Sequence, residues 1–413
     1  MPAPHTIQRV PFRLPTFLNA SSLMEGSVLL LILRLAAHLR LANQVATPGW
    51  YADEGTHVEI ARQLAHGEIR YLAIGQSTLL FAKLPLFDAL LAFLFRFTEV
   101  GIGPLRTLTG VLGIITVALT YAIVRQISNQ QVLALLAALL LAIYPQAWLY
   151  SRFGFSYNLL APLVLLVYLG LWIYLKNSRP LVLRQRWLAL AACLIGIGAL
   201  SDLWMFSMVA PLVAVVAMRH PWDLRWALPL TLLPWVFFAG WQLLTTPDAF
   251  LFDIAYTYSR LNQGSVDQQI SILAHNYAIL TSQEHWMALA VVGMLLMRPN
   301  RWQRLTLICF LLPIVLIGRD EALYGLSFYY MIPLLPFVAI GVAVLLYQGL
   351  PFVWQAVERG LVNALSRWSW WEDSPERLPL QNQLSRLGAL FFTGTLLLSP
   401  FLVSSLDAVQ EVS

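Results

Sequence analysis

Two adjacent carboxylates, Asp53 and Glu54, stand in the stretch Pro48-Gly49-Trp50-Tyr51-Ala52-Asp53-Glu54-Gly55-Thr56-His57, and Lys83 follows further along the same segment. A carboxylate in such a place can accept the proton of an attacking hydroxyl or amine, or ligate a hard divalent cation. The same residues also have a structural reading. Asp after a Pro-Gly break is a good helix N-cap, and Glu in a first turn complements the helix dipole. Their company tips the balance toward chemistry, because a cap alone would need neither His57 nor Lys83.

The element that carries the carboxylates is predicted to be a helix about 12 residues long, opening at Asp53 and stopped by Gly67. Val58, Ala61, Leu64 and Ala65 share one face of it, so it is expected to lie along a membrane interface. The membrane follows from composition. Of the 413 residues 59% are hydrophobic and 11% charged, against roughly 25% charged in soluble domains. So few charges cannot coat a water-exposed surface. The absence of short alternating strands argues against a β-barrel. Scattered basic residues and a formal charge of +5 give no case for nucleic acid. Cys193 and Cys309 both sit in apolar runs, which argues against a disulfide framework or a thiolate metal site.

The expected fold is therefore an all-α polytopic membrane protein with about eleven spanning helices. The predicted spans run over 23–44, 104–124, 131–150, 158–175, 187–201, 203–218, 227–245, 285–297, 305–318, 329–347 and 388–406. The stretch 79–97 carries Lys83, Pro85, Asp88 and Arg96 and reads as interfacial or re-entrant. Loop Lys and Arg residues are biased roughly two to one toward the side that includes the N-terminus, which predicts a cytoplasmic N-terminus. Most acidic residues fall on the other side. Two loops there, 45–103 and 246–284, are too long to be simple connections. The segment 351–385, with four Trp among charges, reads as a helix on the cytoplasmic surface, and the whole of 1–413 as one integral membrane domain without a large soluble C-terminal domain. The first 20 residues lack a signal-peptide pattern, so the first span is expected to be retained.

The ordered motifs Trp50-Tyr51-Ala52-Asp53-Glu54-Gly55-Thr56-His57, Gly67-Glu68-Ile69-Arg70-Tyr71, Lys83-Leu84-Pro85, Pro104-Leu105-Arg106, Tyr144-Pro145, Tyr150-Ser151-Arg152 and Phe328-Tyr329-Tyr330-Met331-Ile332-Pro333-Leu334-Leu335-Pro336 resemble the C-type (GT-C fold) integral membrane glycosyltransferases. The resemblance is to the branch of protein O-mannosyltransferases and lipid A aminoarabinose transferases, and extends over roughly residues 25–350. It implies a GT-C-like bundle and transfer, with inversion, of a hexosyl or pentosyl group from a polyprenyl-phosphate donor to a lipid, glycan or protein acceptor. The reaction would take place at the extracytoplasmic face of a prokaryotic plasma membrane. It implies Asp53 as catalytic carboxylate with Glu54 supporting it, and Lys83, Arg152 and Arg319 as binders of the donor phosphate. His57, Tyr51, Asn158, Tyr329 and Tyr330 would contact substrates. No cofactor is required by these residues, although Asp53 and Glu54 could hold a divalent cation. Departures from the family pattern are the neutral Asn158 where relatives often carry an acidic residue, Tyr329 where many have Arg, and Leu84 in place of a first proline. A lipid-linked-precursor transporter and a catalytically inert scaffold of the same fold are the competing readings.

Other polar residues read as structural. Arg40, on a face with Arg34 and His38, is expected to snorkel to the interface, and Asp202 to cap a turn. His57 and His66 are not at a metal spacing. The segment 246–284, including Asp253, Arg260 and His275, is expected to lie over an acceptor.

Overall fold

Apolar runs punctuated by Pro, Gly and charged turns build helices, and among the described residues no strand occurs. The computed structural model describes residues 20–67, 84–261, 265–283, 285–297, 299–317 and 328–349. Lys83, Arg319, the segment 351–385 and the expected span 388–406 lie outside these residues. Helix α1 (Ala20–Leu41) leads into a loop segment with two short helices, α2 (Ala52–Ala65) and α3 (Pro85–Phe95). The bundle continues with α4 (Ile102–Ser128), α5 (Gln131–Ile143), α6 (Pro145–Tyr150), α7 (Tyr157–Leu175) and α8 (Leu181–Ala199). A 3-10 turn, Leu203–Met208, opens α9 (Val209–Arg219), followed by α10 (Leu224–Thr245), α11 (Pro247–Leu261) and α12 (Val266–Gln283). Last come α13 (His285–Leu296), α14 (Arg301–Ile317), a 3-10 segment Phe328–Leu334 and α15 (Leu335–Val344).

Five stretches among the described residues are long and apolar enough to cross a membrane: Ile102–Ser128, Tyr157–Leu175, Leu181–Ala199, Pro221–Thr245 and Tyr329–Gly349. The last is the most enclosed, with every residue of α15 buried. Together with α7, which is buried along most of its length, it forms the centre of the bundle, flanked by α4, α5, α8 and α13. The α13–α15 crossing depends on Gly293 and Gly341, since a Cβ at Gly293 would meet the Gly341 carbonyl and one at Gly341 the Ala290 backbone. Close approach of this kind is how helices pack where the surrounding solvent is as apolar as their side chains.

Two expected spans are shaped differently from uniform rods, and the stretch expected to be interfacial or re-entrant forms a short helix. The run 131–150 breaks at Tyr144, because Pro145 has no N–H to continue α5 and instead starts α6. The run 203–218 begins as the 3-10 turn, and Asp202 does cap it, its Oδ1 accepting the Trp204 N–H at 2.9 Å. The stretch 79–97 contributes the short helix α3, tied to the end of α8 by the Leu86 N–H donating to the Leu200 carbonyl at 2.9 Å. The long segment 246–284 is largely helical, as α11 and α12.

Arg40 corrects the snorkelling expectation. It is 1% exposed, and its guanidinium donates to the Ala142 and Leu141 carbonyls at 3.0 and 3.1 Å. These carbonyls end α5, which stops inside the protein and has no further turn to satisfy them. Gly113 makes room for the side chain, since a Cβ there would stand 2.8 Å from Arg40 Nε. Arg40→Met is expected to destabilise the protein by about 2–4 kcal/mol, because it leaves buried carbonyls without donors. Thermal unfolding in detergent checks this, and an unchanged transition would show that another donor takes over.

Candidate active site

The first turn of α2 is set by Glu54, not by Asp53. Tyr51 occupies the cap, and Glu54, at the third helical position, accepts the Tyr51 N–H at 3.1 Å. Asp53 is therefore the second residue of α2 and not its cap, a correction to the simple Pro-Gly-Asp reading. Beyond the last turn, Gly67 adopts a φ of 83°, the left-handed conformation that stops a helix. Instead of lying on lipid alone, α2 packs through Ala61, Val58, Leu64 and Ala65 against Phe87 and Leu91 of α3 and Leu105 of α4.

Glu54 is fully buried and its two oxygens face Arg106, 1% exposed, in a bidentate pair. Arg106 Nε donates to Oε1 at 2.8 Å and Nη2 to Oε2 at 2.7 Å. The Gly154 N–H donates to Oε1 at 2.9 Å, from the loop between α6 and α7. A Cβ at Gly154 would collide with Leu105, so only glycine fits this approach. Arg106 spends its other N–H groups on the carbonyls of Gln44 at 2.7 Å, Pro48 at 2.9 Å and Gly49 at 2.8 Å. One carboxylate and one guanidinium thus join three segments: the chain leaving α1, the head of α2 and the α6–α7 loop. Glu54, expected in a catalytic pair, has both oxygens engaged by N–H donors and anchors the first turn of α2.

The third carboxylate of α2, Glu59, is held down to about 2 by hydrogen bonds from Arg62 and Gln63. Such a carboxylate is a weak proton acceptor. Asp53 is half-buried at the helix head. The residues do not fit a metal bridged by Asp53 and Glu54, because N–H donors already occupy both Glu54 oxygens. Among the described residues no group of three metal-ligating side chains occurs.

His57 is expected at substrate but is turned inward. It is 1% exposed, its Nδ1 lies 2.6 Å from Asp88 Oδ1, and its ring meets Phe87 edge-on with centroids 5.0 Å apart. Asn158 is likewise removed from a substrate role. Its amide donates to the Tyr150, Phe153 and Phe155 carbonyls at 3.1, 3.3 and 3.2 Å, folding the α6–α7 loop. A carboxylate there would repel those carbonyls, which is why the neutral residue suits this loop.

Arg152, 9% exposed, donates Nη2 to the Ala42 carbonyl at 2.7 Å and lies over the Trp148 ring. Its Nε is buried with no hydrogen-bond partner. Burial, then the nearby charge of Arg106, lowers its pKa. It is a cation with donors to spare beside the keystone pair. Tyr51, Tyr329 and Tyr330 are brought together. Tyr51 meets Phe155 and Tyr329 at centroid distances of 5.1 and 6.4 Å, Phe155 stacks on Tyr329 at 4.8 Å, and Tyr157 reaches Tyr330 at 5.1 Å. Phe155 and Tyr157 complete this aromatic wall and were not expected in it. The alternation of Phe153, Phe155 and Tyr157 leading into α7 is the signal in the sequence that could have found them.

Removing one partner of a buried ion pair leaves the other uncompensated, typically at about 3–5 kcal/mol. Glu54→Gln and Arg106→Met are each expected to lower thermal stability on that scale. The double variant should be less destabilised than the sum of the two. Strict additivity in a double-mutant cycle would show that the two groups do not act together.

Comparison with known proteins matches the chain to one fold. Residues 82–248, less than half of the chain, match the family described as dolichyl-phosphate-mannose-protein mannosyltransferase, a match that includes Lys83, Arg106 and Arg152 and leaves out Asp53 and Glu54. No curated protein matches the chain in sequence. Among solved structures, ArnT from Cupriavidus metallidurans bound to undecaprenyl phosphate superposes with a TM-score of 0.56 at 16% identity, covering 94% of this chain and 72% of that one. Its apo state gives a TM-score of 0.57 at the same identity and coverage. The archaeal oligosaccharyltransferase AglB from Archaeoglobus fulgidus, in complex with an inhibitory peptide and a dolichol-phosphate, gives 0.51 at 14% identity, covering 94% of this chain and 56% of that one. The chain has the GT-C fold of the C-type integral membrane glycosyltransferases.

Proposed function

We propose that the protein is a glycosyltransferase that takes a sugar from a polyprenyl-phosphate donor and passes it, with inversion, to a lipid, glycan or protein acceptor. The observation that carries the proposal is Asp53. It is a half-buried carboxylate in the first turn of α2, next in sequence to Glu54, whose pairing with Arg106 fixes that turn. The fold neighbours agree in ligand chemistry: one is bound to undecaprenyl phosphate and another holds a dolichol-phosphate with a peptide.

In the proposed reaction the acceptor oxygen or nitrogen attacks the anomeric carbon. The new bond forms as the bond from that carbon to the phosphate oxygen breaks, and Asp53 takes the acceptor's proton. The electron pair of the broken bond goes to the polyprenyl phosphate, where Arg152, together with Lys83 and Arg319, offsets the added negative charge. Tyr51, Tyr329 and Tyr330 supply flat surfaces for the sugar or the first isoprene units. The sugar, hexosyl or pentosyl, is left to the aromatic wall and the acceptor to the segment 246–284. The extracytoplasmic side of the membrane follows from the loop charge bias, with the N-terminus cytoplasmic.

Transfer from defined undecaprenyl-phosphate sugars by the full chain in nanodiscs tests the reading. Asp53→Asn is expected to lower kcat by about 10²–10⁴-fold with donor binding retained. Arg152→Ala and Lys83→Ala are expected to raise the KM for the donor. Full turnover by Asp53→Asn would refute the assignment, and loss of donor binding in that variant would reduce Asp53 to a structural role.

A further inference from the structure

A cavity of about 520 Å³ opens at the other end of the bundle. Helix α7 connects the two regions. Tyr157, at its start, belongs to the aromatic wall, and Tyr174 and Leu175, at its finish, line this cavity. The helix between them spans about 27 Å, close to the thickness of a bilayer's hydrocarbon core. The last turns of α7 and α9 and the first turns of α8 and α14 surround the space.

Its walls carry four arginines, Arg184, Arg219, Arg301 and Arg304, against one carboxylate, Asp223. That carboxylate is engaged, accepting the Tyr174 hydroxyl at 2.8 Å and the Trp226 indole N–H at 3.3 Å. Two of the arginines are anchored. Arg219 donates to Asn177 Oδ1 at 2.7 Å and lies over the Tyr174 ring, and Arg301 donates to the Leu175 carbonyl at 2.7 Å. Arg184 is different, because its Nε is buried with no hydrogen-bond partner. A buried guanidinium N–H without an acceptor needs one. Next to these charges the cavity has an apolar side, where Leu181 and Met218 are 56% and 60% exposed. Lys and Arg residues that only orient a membrane protein need no such enclosure, since any loop position serves.

We propose that this cavity binds a phosphate group, carried by an anionic phospholipid whose acyl chains run along Leu181 and Met218. Guanidinium forks match phosphate oxygens in pairs, and basic pockets between spanning helices are suited to lipid headgroups. The site is separate from the proposed transfer chemistry and does not depend on it.

Native mass spectrometry of the full chain, titrated with phosphatidylglycerol, phosphatidylcholine or inorganic phosphate, tests the proposal. Phosphatidylglycerol is expected to bind about tenfold more tightly than phosphatidylcholine, and the preference to disappear in Arg184→Gln/Arg304→Gln. Displacement of the lipid by millimolar inorganic phosphate would keep the site and reassign it to a soluble phosphate ester. Should the double variant fail to fold, Arg304→Glu, at an exposed position, is expected to weaken the same preference. Equal binding of both lipids with no binding of phosphate, or a preference unchanged in the folded variants, would overturn the site.

Discussion

The ion pair between Glu54 and Arg106 is the constraint on which the loop-bearing end of the molecule depends. Neither side chain is accessible to water, so each must be neutralised and hydrogen-bonded by the other and by backbone. A buried pair of this kind is a weak source of stability compared with apolar packing, but it is highly directional. Here it specifies that the chain leaving α1, the first turn of α2 and Gly154 converge on one point. Any slip of α2 by one residue would take Glu54 away from both Arg106 and the Gly154 N–H. The pair therefore separates the two adjacent carboxylates into different tasks: one holds the architecture, and the other stands at the edge.

Other polar groups follow the same logic on a smaller scale. Arg40 closes the end of α5, Asn158 ties three carbonyls of the α6–α7 loop, and Asp202 caps the turn before α9. Each sits beside a helix end, and each satisfies backbone groups that the helix itself leaves without partners there. The apolar middle of α7 and α15 needs no such help. As a result the bundle has a packed centre and two polar ends, one with Asp53 and Arg152 and the other with the arginine-lined cavity.

The similarity to ArnT and AglB at 16% and 14% identity is intelligible on this basis. A helix bundle in lipid tolerates exchange among apolar residues as long as volume and pattern are kept. The few directional contacts at helix ends cannot be exchanged so freely, and the motifs that resemble the GT-C family cluster at those ends. Fold likeness alone does not carry an activity, which is why the proposed transfer rests on Asp53 and Arg152.

The sequence by itself determined the class of the molecule: composition and run length point to helices in a membrane, and Gly67 marks a real helix stop, whereas the break at Pro145 falls within a run that reads as one span. It also drew attention to the loop that carries Asp53 and Glu54, since scarce carboxylates beside a Pro-Gly turn are conspicuous. What it did not reveal was which polar residue faces which. Glu54 and Asp53 are neighbours in sequence, His57 reads as a substrate contact, and Arg106 as one basic residue at the head of a span. Only the tertiary structure brings Arg106 to Glu54 across 52 positions and Asp88 to His57 across 31. Periodicity reports the apolar face of each helix, because burial is a property of one segment against its surroundings. Pairing of charges is a property of two segments at a particular angle and depth, and that is decided when the helices pack.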